Sequence, residues 1–151
     1  MDTRGEALNR FMVETFNEIL RTEEQSLTEK WPDLTVREVH LLEEVCRIVD
    51  EGRDNRASAI AVAQRVTAGT LTTMVALLEK KGYLERRRDG NDRRAVRIHP
   101  TERGWQANQD HTAFHQELVE TVQGVLNQEE CAVFLRALDV VSGFFQNKNI
   151  G

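Results

Sequence analysis

The chain has 151 residues, 40% hydrophobic and 30% charged, with a formal net charge of −5. That size suits one ordinary domain, or a compact module with helices added for assembly, and the composition suits a solvent-exposed, mostly helical protein. No apolar run approaches the roughly 20 residues that span a bilayer. The start, Met1-Asp-Thr-Arg-Gly-Glu6, has no signal-peptide apolar stretch, so a cytoplasmic protein without a membrane partner is expected.

Leu8, Phe11, Met12, Phe16, Ile19, Leu20 and Leu27 recur at helical spacing and predict a long first helix over about 3–29, stopped by Trp31-Pro32. Thr35-Val-Arg-Glu38 is a capping box opening a second helix, with a stripe of Val39, Leu42, Val45, Cys46 and Val49. Residues 50–56 are a polar connection, and a short third helix after Ser58 uses Ile60, Ala61 and Ala63. Thr67 caps a fourth helix running to Lys81, with Leu71, Met74, Val75 and Leu78 facing inward. Its opposite face is Gly69, Thr73, Ala76 and Lys80, flanked by Thr70 and Thr72. Threonines and a glycine are poor helix formers with no packing reason to be there, so that face points to a task.

Gly82 supplies a left-handed helix end, and a hairpin follows around Asp89-Gly90-Asn91-Asp92, pairing the segment near Leu84 with Val96 and Ile98. After Pro100-Thr101 a long fifth helix carries Trp105, Phe114, Leu118, Val122 and Val125. Asn127-Gln-Glu-Glu130 caps a last helix lined by Cys131, Phe134, Leu135, Leu138, Val141 and Phe145. The fold class expected is mostly α with a small β-hairpin. A compact lobe spans 35–100, and the terminal segments 3–30 and 103–147 carry more apolar residues than such a lobe needs, which points to a homodimer interface.

Charge is unevenly distributed. Residues 79–103 hold nine basic and five acidic side chains, a local +4, which leaves −9 on the rest. A positive patch on an acidic body attracts phosphate locally while the body limits indiscriminate binding. A small-faced, hydroxylated helix suits the major groove, and an arginine at a hairpin tip suits the narrow minor groove. Double-stranded DNA is therefore the expected partner. Thr67, Gly69, Thr70, Thr72 and Thr73 form the candidate reading face, and Lys80, Arg86 and Arg88 the candidate phosphate contacts. Of Arg93 and Arg94, one enters the minor groove while the other pairs with Asp92 to hold the hairpin.

These residues resemble the MarR family of winged helix-turn-helix transcription regulators, in element order from about Phe11 to Phe145. The resemblance is sharpest at Leu77-Leu-Glu-Lys-Lys-Gly-Tyr-Leu-Glu-Arg86, Asp92-Arg-Arg94 and Thr101-Glu-Arg-Gly104. It implies an obligate homodimer with long terminal dimerisation helices, a recognition helix at 67–81, and a wing at 84–99. It also implies a ligand between the dimer helices and the DNA-binding lobe. Val66-Thr-Ala-Gly-Thr-Leu-Thr-Thr73 and His111-Thr-Ala-Phe-His115 look like the branch that represses fatty-acid synthesis genes. That likeness implies acylated carrier protein as corepressor. Gln64 and Pro100 depart from the family pattern, each standing where a leucine is usual.

His111 and His115 are spaced i, i+4 and His40 lies on the second helix, which makes them weak candidate zinc ligands. Zinc-responsive members of the family use similarly placed histidines with a loop cysteine; here that loop is Lys30-Trp-Pro-Asp-Leu34, leaving Glu23 or Glu24 as substitutes. Cys46 and Cys131 lack a Cys-x-x-Cys pairing and read as small buried hydrophobes. No nucleophile elbow, P-loop, zincin or dinucleotide motif occurs, so no enzyme is expected. A protein-interaction module of the same fold is the remaining alternative.

Overall fold

A computed structural model describes residues 1–92 and 94–149. In chain order the elements are α1 (Thr3–Lys30), α2 (Val36–Asp50), α3 (Ala57–Gln64), α4 (Ala68–Lys80), β1 (Leu84–Arg88), β2 (Val96–Pro100), α5 (Glu102–Val125) and α6 (Gln128–Lys148). Two compact units divide the chain, Met1–Asp110 and the remainder from His111. Among the described residues no single helix is long and apolar enough to cross a membrane.

The first unit holds the core. Thr35 and Glu38 form the expected capping box at the start of α2, each side chain accepting the other's backbone N–H at 3.1 Å. Val39, Leu42, Val45 and Cys46 are buried as expected, but so are Leu41 and Ile48, while Val49 is half-buried. This helix is covered on more than one face, which a single stripe cannot show. Leu71, Val75 and Leu78 of α4, Ile60 and Ala61 of α3, and Tyr83, Leu84 and Ile98 of the wing close the same core. Ala63 is exposed, and Gln64, where the family has leucine, is half-buried.

The antiparallel wing pairs the segment from Leu84 with Val96 and Ile98, as expected. Leu84 faces Pro100, Arg86 faces Ile98 and Arg88 faces Val96. The connection differs from the expected one, being a seven-residue loop from Asp89 to Ala95 rather than a tight turn at Asp-Gly. Asp89 Oδ1 accepts the Asn91 N–H at 3.0 Å and Asp92 Oδ1 the Arg94 N–H at 2.9 Å. Two such side-chain-closed turns build a broader tip than a two-residue hairpin would. Pro100 sits buried at the end of β2, where its missing N–H costs no ladder bond.

Behind the wing, Thr101 joins three segments. Its N–H donates to Tyr83 O (3.0 Å), its hydroxyl donates to Gly82 O (2.5 Å), and its oxygen accepts the Gly104 N–H (3.1 Å). Gly82 has φ +87°, the left-handed conformation expected at the helix end. Lys81 reaches back to Glu38 (2.9 Å) and Asp33 O (2.6 Å), and Tyr83 donates to Asp33 (2.5 Å). The Lys-Gly-Tyr run thus ties the end of α4 to the start of α2.

In the second unit, Asn127 and Glu130 form the expected capping box of α6. That helix has no buried residue. Phe134, Leu135, Leu138, Val140 and Phe144 are exposed on it, as Leu8, Phe11 and Leu20 are on α1.

Candidate nucleic-acid interface

The fourth helix starts at a built N-terminus. Thr67 Oγ1 accepts the Thr70 N–H at 3.1 Å and donates to Thr70 Oγ1 at 3.0 Å. A non-glycine left-handed residue, Arg65 with φ 55°, makes the tight bend between α3 and α4. Gly69, Thr72, Thr73, Ala76 and Lys80 are all exposed and Thr70 is half-buried, so the structure puts the expected small, hydroxylated face on the surface. Thr72 donates to Ala68 O at 2.8 Å and Thr73 to Gly69 O at 3.1 Å. Their methyl groups and remaining lone pairs are what they offer outward.

The wing presents the basic side chains. Arg86 and Arg88 are exposed, Arg86 lying 3.6 Å from Glu79. Arg94 is exposed on the loop, and Arg93 lies outside the described residues. Asp92 was expected to hold the wing through Arg93 or Arg94. Its carboxylate accepts the Arg94 backbone N–H, while Arg93, the other expected partner, lies outside the described residues; at the base of the loop Arg97 pairs with Asp89 at 2.9 Å. Arg97 appeared in the sequence only as one of the charges of the patch.

Ionisation follows these contacts. The hydrogen bonds from Arg56 hold the Asp54 carboxyl down at about 2. The Asn91 N–H, and after it Arg97, hold Asp89 below the usual carboxylate range. Burial, then the Arg87 charge, depress His99. Burial, reinforced by Asp50 and Glu43, pushes the Cys46 thiol up to about 12, the state of an inert core cysteine. Cys131 is half-buried.

His111 and His115 stand with their Nε2 atoms 3.0 Å apart on α5. His40 lies on α2, its Nε2 3.2 Å from Glu23 Oε1 of α1.

Comparison with known proteins places this geometry. The MarR family profile matches residues 34–96, from the start of α2 to the start of β2. A Streptococcus pneumoniae FabT structure in complex with DNA superimposes with a TM-score of 0.81 at 30% identity, over 95% of this chain and 99% of that one. The chain belongs to the MarR family. It is accordingly a DNA-binding transcription regulator with a winged-helix fold. A cysteine-to-serine mutant of E. coli MarR complexed with operator DNA aligns at a TM-score of 0.63 and 25% identity, over 93% of this chain and 99% of that one. The S. aureus MepR–DNA complex, at 0.70 and 21% over 89% and 94%, shares the fold. No curated protein sequence matches the chain.

Proposed function

We propose that this MarR-family regulator acts as a homodimeric repressor on a pseudo-palindromic operator, with α4 in the major groove and Arg94 or Arg93 of the wing in the minor groove. The observation that carries this is the exposed threonine face of α4, followed within one short segment by an exposed arginine wing rooted in the same core. Exposed apolar side chains on α1 and α6 support a dimer, because a monomer rarely leaves that much apolar surface in water. Twofold symmetry would put two α4 helices about one DNA turn, roughly 34 Å, apart. Selection from a randomised duplex pool tests it. An inverted repeat should emerge, and Arg94→Ala should lose most affinity with helical content unchanged. Retention of no duplex would reject it in favour of a protein-interaction module, and equal retention of every duplex would reject the operator.

The finer role proposed is control of fatty-acid synthesis genes with a long-chain acyl group, delivered as acylated carrier protein, as corepressor. Its support is the likeness to FabT, together with the Val66–Thr73 and His111–His115 runs. A zinc-responsive regulator is the second reading, favoured by the facing nitrogens of His111 and His115. Native mass spectrometry of the purified protein separates them: a co-purified acyl mass supports the first. A zinc mass lost on His111→Ala supports the second.

A further inference from the structure

Among the described residues, Arg97 is the one wing guanidinium that points its donors at protein from two separate segments. Its Nε and terminal nitrogen meet Asp89 Oδ2 at 3.0 and 2.9 Å, at the point where β1 enters the loop. Its other terminal nitrogen donates to Asn55 Oδ1 at 3.0 Å and stands 3.6 Å from Asp54. Asn55 is buried between α2 and α3, and its amide donates to Ile98 O at 2.9 Å while its own carbonyl accepts the Ile98 N–H at 2.9 Å. Arg56 and Arg97 add a single β-bridge. A two-stranded ribbon is marginally stable alone, so these contacts fix where the wing sits against the helix-turn-helix. The planar fork suits this role, since it can serve a carboxylate and an amide oxygen at once; an ammonium has no such fixed geometry.

We propose that Arg97 is a positioning residue for DNA binding: by locking the base of the wing loop to the α2–α3 connection, it presents the loop that carries Arg94 at a fixed offset from α4. The idea rests on the operator-binding role proposed above. A preset offset lets the wing reach its groove once α4 has docked, without a further ordering cost. Each nitrogen of the Arg97 guanidinium faces Asp89 or Asn55, and no phosphate is assigned to it.

Two measurements on the full-length protein decide it. In the free protein, Arg97→Lys should speed amide hydrogen exchange across residues 84–88 and 96–100 by about tenfold, with α2 and α4 amides unchanged. Unchanged wing exchange overturns the lock whether or not the protein binds DNA. On the duplex selected by the wild type, Arg97→Lys should weaken binding by about tenfold with an unaltered salt slope, because the charge is kept and the bridge lost. Asp89→Asn should also weaken binding, although it removes a negative charge next to DNA. In an Arg94→Ala background, Arg97→Lys should cost little more. Rescue by lysine, tighter binding by Asp89→Asn, or effects that multiply with Arg94→Ala would each show that Arg97 contacts DNA itself. Failure of the wild type to select any duplex refutes the operator role and leaves the exchange result to judge the lock.

Discussion

Gly104 tests the packing of the wing against α5. Helix propensity alone says that Gly104→Ala should help, by about 1 kcal/mol, since alanine is the better helix former. Geometry says the reverse. A Cβ at Gly104 would lie 2.2 Å from Tyr83 O and 3.3 Å from Leu42 Cδ1. The first neighbour is backbone and cannot rotate away. It also accepts the Thr101 N–H at 3.0 Å, so moving it disturbs the start of α5 and the end of α4 together. Relief needs a shift of roughly an ångström in one of two well-held segments, an overpacking cost of about 3 kcal/mol. The net loss expected is about 2 kcal/mol, which for a chain of this length lowers Tm by about 4–8 °C. Thermal melts followed by far-UV circular dichroism at one fixed protein concentration would show it. An unchanged or higher Tm would mean that the contact with Tyr83 is not constraining and that the Thr-x-x-Gly motif needs another explanation.

Lys80 is exposed at the end of α4, and Lys80→Ala should weaken binding to every duplex alike and flatten the salt slope by about one unit; a sequence-dependent loss would place it on a base. His99, depressed below 6.5 by burial and then by Arg87, stays neutral in the fold while the unfolded chain takes up a proton. Its stabilising contribution is therefore complete above pH 6.5 and lost as the pH falls from 6.5 through its folded-state value. Urea midpoints should drop over that interval in the wild type and drop less in His99→Gln; parallel curves would dismiss the assignment.

The sequence was most readable where one local rule decided the outcome. Both capping boxes, the Trp31-Pro32 stop, the Gly82 helix end and the inward stripe of α4 come from rules that act over a single helical turn. The pairing of the wing strands was legible but the width of its tip was not, because the side chains of two aspartates take loop N–H groups there, and Asp-Gly suits either a tight turn or a wide one. Leu41 and Ile48 escaped because α2 is buried on more than one face, which depends on neighbours distant in the chain. The Arg97 lock was invisible for the same reason. Asn55 and Arg97 lie 42 positions apart, and each on its own reads as a surface polar residue.

Base preference follows from where the threonine hydroxyl hydrogens go. Thr72 and Thr73 donate theirs to Ala68 O and Gly69 O, so neither has a hydrogen left for an acceptor on DNA unless it gives up a bond within its own helix. The guanine edge in the major groove offers acceptors alone, whereas adenine and cytosine offer amino donors and thymine a methyl. A face of methyls and lone pairs therefore complements A·T pairs and is poorly matched to guanine. Thr73→Val keeps the methyl and shape while losing the lone pair, and Thr73→Ala loses both. If the reasoning holds, duplexes selected by the wild type carry A·T beneath this residue. Valine should retain the thymine contribution and lose the amino one, and alanine should relax the position altogether. Each well-placed contact is worth about 1–3 kcal/mol of discrimination, so the change is measurable as a shift of about tenfold between otherwise identical duplexes. Selection of guanine at that position, kept by Thr73→Val, would mean that the hydroxyl hydrogen is not what sets the preference.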